Sequence, residues 1–312
     1  MSDFKHISVL LDESVNLLEV KPDGVYADGT LGGGGHSSLI CSRLSKDGLL
    51  IGIDRDMTAI DAASERLKEY KNQIKIVHNN YANIKDILKS LDVKELDGAI
   101  LDLGVSSPQL DTAERGFSYN MDARLDMRMN REDALSAYEV VNEYSEAELT
   151  KIIFDYGEER YARQISKGII AARQTKPVET TFQLSDIIKA AIPAKARFAD
   201  KHPAKRTFQA IRIEVNNELS LLEGAIRDFV DALKPGGVLS VITFHSLEDR
   251  IVKQTFAELA SGCECPKNFP VCVCGKTPQV KILTRKPMIS GEEELEKNIR
   301  AHSAKLRAVK KL

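Results

Sequence analysis

The chain has 312 residues, 43% apolar and 29% charged, and its 44 Lys+Arg nearly cancel 46 Asp+Glu for a formal net charge of −2. That is about two average domains, or one large α/β domain carrying an insertion, and it excludes a disordered, collagenous or histone-like protein. No apolar run approaches the roughly 20 residues of a bilayer span, and Asp3, Asp12 and Glu13 stand where a secretory signal needs a basic and then an apolar stretch, so a cytoplasmic protein without a membrane partner is expected.

In chain order, residues 25–28, 49–54, 74–78 and 98–103 read as strands. Between them 36–44, 57–70 and 84–91 carry apolar residues at helical spacing, the alternation of a parallel sheet. After Pro108 the strand signal stops. Ser145 and Glu148 have capping-box spacing for a helix running to 155. Further helices fit 158–173, 184–191 and 207–233, broken by Pro177 and Pro193. Lys234-Pro235-Gly236-Gly237 predicts a turn, 238–244 a buried strand, 247–259 a helix, and 280–284 with 305–309 two late strands. The pattern predicts one α/β domain, 1–107 with 213–312, interrupted by an all-helical insertion over 108–212.

The near-zero charge hides segregation. Residues 195–212 hold six Lys+Arg against Asp200, a net of +5, and 276–312 hold ten against four Glu, a net of +6, leaving −13 on the rest. Two basic segments on an acidic body point to a polyanion partner.

The segment Val25-Tyr26-Ala27-Asp28-Gly29-Thr30-Leu31-Gly32-Gly33-Gly34-Gly35-His36 joins a strand to a helix through five glycines, a turn that lets backbone amides approach a ligand. The dinucleotide pattern G-x-G-x-x-G fails in both registers, at Ser37 and at Ser38, and Gly275-Lys276-Thr277 has Pro270 where a phosphate loop needs glycine. Asp54, nineteen residues beyond Gly35, stands where doubly wound folds place an acid on ribose hydroxyls. His36 is assigned to cofactor contact. Tyr81, after the third strand, could stack on a base, and Asp102 and Gln109, after the fourth, fall near the reactive end of the ligand.

These residues resemble the bacterial ribosomal-RNA small subunit methyltransferase H family, also called MraW. The resemblance runs through His6-Ile7-Ser8-Val9-Leu10-Leu11, the 28–37 loop, 102–109, Arg115-Gly116-Phe117-Ser118, Leu125-Asp126-Met127-Arg128-Met129, Lys205-Arg206-Thr207-Phe208-Gln209-Ala210-Ile211-Arg212 and Phe244-His245-Ser246-Leu247-Glu248-Asp249-Arg250. It implies a class I S-adenosylmethionine-dependent methyltransferase sheet, Rossmann-like, with an inserted helical domain. It further implies methyl transfer to N4 of a cytidine in the decoding region of 16S rRNA, within the small ribosomal subunit. By likeness, Gly34, Gly35, His36, Asp54, Tyr81, Asp102 and Gln109 contact the cofactor, with Tyr81 in place of the family's phenylalanine. Near the C-terminus, Asn298-Ile299-Arg300 departs from the family's Asn-Pro-Arg.

Cytosine's exocyclic amine has its lone pair delocalised into the ring, so an acceptor must hold its N–H bonds as it attacks. Asp102, or the turn Ser106-Ser107-Pro108-Gln109, is expected to supply that acceptor. Lys205, Arg206 and Arg212 are expected to grip RNA phosphates, with Phe208 and Ile211 forming a helical core face. His245 and Glu248 either contact substrate or follow a helix cap at Ser246. Cys263, Cys265, Cys272 and Cys274 offer four thiols at C-x-C rather than the usual C-x2-C spacing, and no metal is assigned to the chemistry. The failed fingerprint disfavours a nucleotide-dependent oxidoreductase, and the intact loop with Asp54 and Asp102 disfavours an RNA-binding assembly factor with a vestigial pocket. A homodimer is left open.

Overall fold

Apolar runs punctuated by glycine and aspartate form the central strands of the computed structural model, which describes residues 8–197, 202–263, 265, 271 and 274–312. His6, Ile7, Asp200, Lys201 and Cys272 lie outside the described residues. Strands β1 (Val25–Asp28), β2 (Leu49–Asp54), β3 (Ile74–His78), β4 (Leu96–Asp102), β5 (Leu233–Thr243), β6 (Val280–Ile282) and β7 (Lys305–Lys311) form one sheet in the order β3-β2-β1-β4-β5-β7-β6. The first five are parallel, and β7 runs antiparallel to both β5 and β6. This is the class I methyltransferase sheet.

Alternation builds the core. Tyr26, Leu50, Ile100 and Val238 point into one apolar cluster, while their neighbours Ala27, Ile51, Leu101 and Leu239 point into another. Both faces are therefore covered, as a parallel sheet requires. Sequence order reverses at β1, which has β2 on one side and β4 on the other, and ligands bind outside the carboxyl ends of strands at such a switch point.

The chain divides into two units, Met1–Gly104 with Leu219–Leu312, and Val105–Glu218. The boundary expected at 212 would cut the helix Lys205–Asn216, whose Phe208, Ile211 and Val215 are buried in the core of the second unit, so the division falls at 218 instead. The single helix expected over 207–233 is likewise two, Lys205–Asn216 and Leu222–Ala232. Asn217 takes a left-handed conformation (φ 55°) and stops the first, with Glu218 N–H donating to the Ile213 carbonyl. The Pro/Gly turn expected at 234–237 lies inside β5, where the register against β4 shifts between Leu96 and Gly98. A bulge absorbs residues that a regular ladder would reject.

The second unit is helical, with one isolated bridge, Arg124 to Thr180, among its described residues. The helix Glu146–Gly157 carries the expected capping box of Ser145 and Glu148. Two of the family-like strings form its frame. Buried Arg115 donates to the carbonyls of Arg128 and Met129 at 2.8 and 3.0 Å, and buried Asn216 accepts from Met129 N–H and donates to the Met127 carbonyl, both at 2.7 Å. Gly116 makes the turn between them at φ 70°, where an added Cβ would lie 2.5 Å from the Arg124 carbonyl oxygen and 2.8 Å from the Asp126 nitrogen. Neither backbone atom can yield without breaking the frame. Gly116→Ala is expected to destabilise this unit by about 2–4 kcal/mol, read from urea unfolding; a loss below about 0.5 kcal/mol would contradict the frame.

Candidate active site

Three of the four leading strands end in aspartate, and the switch point sets those carboxyls at one edge of the sheet. Asp28, at the end of β1, is 1% exposed. Its Oδ2 accepts from Ser37 Oγ at 2.7 Å and its Oδ1 from Thr30 N–H at 3.1 Å. Burial pushes its pKa up to about 6 against the pull of these donors, with Asp54 adding a smaller upward push. Asp54, at the end of β2, accepts from Gly32 N–H at 2.8 Å and Asp56 N–H at 2.9 Å, and burial holds its pKa above the usual carboxylate range. The acid thereby pins the glycine loop. Gly34 turns the loop at φ 74° into the helix Gly35–Arg43, and a Cβ on Gly35 would collide with the Ser8 hydroxyl.

Asp102, at the end of β4, differs from the other two. Its backbone N–H donates to Thr30 Oγ1 at 2.6 Å, but its Oδ1 is shut off from solvent and has no hydrogen-bond partner among the described residues. The side chain as a whole keeps 25% exposure, so the group is neither in water nor satisfied by protein. Burial first, then the charges of Asp28 and Glu248, push its pKa well above the ordinary value. His36 is buried, with Nε2 3.1 Å from the Val9 carbonyl and Nδ1 3.8 Å from Asp102 Oδ2. It sits beside the acid inside the fold. Of the loop glycines before it, Gly32, Gly33 and Gly35 are half-buried and Gly34 is buried.

Tyr81 opens a short 3-10 turn after β3, capped by Asn80, and lies half-buried against the sheet core. Glu248 caps its own helix, Ser246–Leu259: its Oε2 accepts from Phe244 N–H at 2.9 Å and His245 N–H at 3.2 Å. The cap expected at Ser246 is supplied by His245, whose ring accepts from Glu248 N–H. Of the two readings of Glu248, substrate contact or cap, the hydrogen bonds are those of the cap; Asp28 and Thr30 were not singled out as site residues from the sequence. The recurrence of aspartate at strand ends was the signal that could have found the first.

Ser106, Ser107, Pro108 and Gln109 belong to the helical unit, at the start of the helix Ser107–Asp111. Gln109 is buried, and its Oε1 accepts from Ser106 N–H at 3.0 Å. Lys205 is exposed on the first turn of its helix. Arg206 is 55% exposed while donating to the Glu158 carbonyl at 3.0 Å. Arg212 departs from the expectation of a phosphate-gripping cation. Its guanidinium makes two 2.9 Å bonds to Glu218, the two side chains keeping 17% and 8% exposure. Phe208 and Ile211 are core, as expected.

Part of the second basic segment is also committed within the protein, while Lys281, Arg285 and Lys286 are exposed. Arg307 pairs in a fork with Asp249, Lys305 joins the same carboxylate at 3.2 Å, and Lys310 reaches Glu19 at 2.8 Å. All three lie on β7, and Arg307 is buried, where an unpaired charge would be costly, while Lys305 and Lys310 keep 41% and 33% exposure.

A raised acid pKa has a definite sign in stability. Between about pH 4 and pH 6 the folded protein holds the Asp28 proton more tightly than the unfolded chain does, so this contribution is full below pH 4 and lost as pH rises through 6. The stability of wild type relative to Asp28→Asn should fall by up to about 3 kcal/mol across that interval, measured by urea unfolding at several pH values. A difference that stays flat, or rises with pH, would show that Asp28 is not held this way.

The MraW methylase family matches residues 3–312. Ribosomal RNA small subunit methyltransferase H of Clostridium botulinum (strain Kyoto / Type A2) is 60% identical over 310 residues, 99% of this chain and 100% of that protein. The protein of the same name from Lachnospira eligens is 56% identical over 310 residues, 99% of this chain and 98% of the relative. The Clostridioides difficile (strain 630) relative, also so named, is 56% identical over 99% of this chain and 100% of its own length. With the sheet order and the acids at its carboxyl edge, these matches place the chain in the MraW methylase family.

Proposed function

We propose that this chain transfers a methyl group from S-adenosylmethionine to N4 of a cytidine in the decoding region of 16S rRNA, within the small ribosomal subunit. Family membership and relatives named for ribosomal RNA methylation support the reaction class. Within the fold, the observation that carries the reading is Asp102, a partly exposed carboxyl whose buried Oδ1 is unsatisfied, at a strand end beside the glycine loop.

The residues fit the cofactor. Gly34, Gly35, His36, Asp54, Tyr81 and Asp102, all in the sheet unit, would hold it. When bound, S-adenosylmethionine supplies an electrophilic methyl group on a sulfonium cation. The acids suit a cation, because a positive charge nearby offsets the burial that raises both Asp102 and Asp28, and with it the smaller repulsions of Asp28 and Glu248 on Asp102 and of Asp54 on Asp28. Asp54 retains lone pairs beyond those used by Gly32 and Asp56, enough to accept from ribose hydroxyls. The Asp102 carboxyl, whose side chain keeps 25% exposure, would offer the acceptor to an N–H of the target amine. Holding that bond steers the nitrogen lone pair out of the ring, and an in-line displacement needs little beyond such positioning. Ser106, Ser107 and Pro108 are the alternative source of an acceptor. The product amine can lose its proton to water, so no dedicated base is required.

Asp102→Asn is expected to lower methyl transfer to small subunits by about 10²–10³-fold, with Ser106→Ala much less affected. Labelled methyl transfer followed by nucleoside identification reads both rate and position. Cofactor binding and turnover both unchanged in Asp102→Ala would remove Asp102 from the mechanism, and a modified base other than cytidine would remove the target.

The cations are separable. Neutralising Lys205 and Arg206 together should weaken RNA binding and reduce the slope of log affinity against log salt by about 1 to 2. Arg212→Ala should instead leave Glu218 unpaired and cost stability, about 2 kcal/mol. An unchanged salt slope in the first variant would dismiss these two side chains as RNA contacts.

A further inference from the structure

We propose that Cys263, Cys265 and Cys274 bind a structural metal ion, zinc by the chemistry of the set. The three sulfur atoms lie within 4.8 Å of one another, and Cys274 Sγ is 3.9 Å from Cys263 Sγ. A disulfide would need about 2.05 Å. Two thiolates each about 2.3 Å from one zinc ion, at the tetrahedral angle, stand about 3.8 Å apart. The observed spacing is that of two ligands sharing an ion. Cys265 N–H also donates to Cys263 Sγ at 3.3 Å, a backbone donor of the kind that steadies a metal-bound thiolate and offsets its charge. An all-sulfur set selects zinc over the hard cations magnesium and calcium. Cys272 lies outside the described residues and is not counted among the ligands.

The surroundings give the ion a task. Residues 260–279 leave the helix Ser246–Leu259 and return to β6 with no helix or strand among their described residues. The base of this excursion is closed by Gln279 N–H donating to the Leu259 carbonyl at 2.9 Å, with Val280 buried in the sheet core beyond it. Above that closure the cysteines 263 and 265 on the outgoing side meet Cys274 on the returning side. A long loop with no core of its own gains most from a clip joining its two arms. The C-x-C spacing, read from sequence as a departure from zinc sites, suits this geometry because the third sulfur arrives from the opposite arm.

The test uses the full chain, expressed in zinc-supplemented medium and purified without chelator or added metal. Plasma mass spectrometry after gel filtration should find about one zinc per chain, and less than about a tenth of that in Cys263→Ser/Cys265→Ser/Cys274→Ser with unchanged circular dichroism. Cobalt(II) added to the stripped wild type should give thiolate-to-cobalt charge transfer and tetrahedral ligand-field bands that the triple variant lacks. Should the triple variant not fold, Cys265→Ser alone should release zinc to a chromophoric chelator at least about tenfold more readily than wild type. Wild type whose thiols titrate as fully reduced yet carries no zinc, or zinc held equally by wild type and variant, overturns the site.

Discussion

Like charges gathered in a low-dielectric place must either lose their charge or meet an opposite one, and the register of this sheet enforces the gathering. Asp28, Asp54 and Asp102 terminate three adjacent parallel strands, with Asp28 opposite Gly52 on one side and Ile100 on the other. The protein quiets two of these carboxyls with its own donors, Ser37 and Thr30 on Asp28, and Gly32 and Asp56 on Asp54. It leaves one oxygen of Asp102 without any. That asymmetry leaves at the end of β4 an acid whose charge the protein's own donors do not offset, while the glycine loop is shaped by the acid that pins it, Asp54.

The helical unit obeys a different constraint. It has no sheet to organise it, and its long irregular stretch between 112 and 136 is held by side chains serving as backbone substitutes. Arg115 and Asn216 satisfy carbonyl and amide groups of 127–129 that no ladder reaches. Much of the family-like sequence in this unit is therefore architecture.

Strands β1, β2 and β3 were legible because apolar runs there end abruptly in acid, glycine or histidine. The break at 217 was not, because its left-handed residue is asparagine and Leu219, Leu221 and Leu222 continue the apolar rhythm past it. Among the candidate site residues, apolar runs ending in acid were enough to put Asp54 and Asp102 at the carboxyl ends of β2 and β4. Arg212 could not be told from Lys205 in the same way: its partner Glu218 lies six residues away, beyond helical pairing distance, across a turn that periodicity did not reveal. The pairing of Lys305, Arg307 and Lys310 was hidden for a related reason, since Asp249 and Glu19 are remote in sequence. The metal ligands were visible as residue types, but only the meeting of two loop arms gives them a geometry.

The place of β7 between β5 and β6 bears on how the protein is made. Residues 105–218 are contiguous and can collapse as soon as they emerge from the ribosome, whereas the sheet unit is completed only when β7 joins it, after the other described elements. Until β5 and then β7 arrive, β4 and then β5 present apolar edges with unpaired backbone groups, the form of surface that recruits wrong partners. Synthesis of this chain thus leaves its sheet unit exposed longest, so the nascent sheet, more than the finished protein, is where chaperones would be needed.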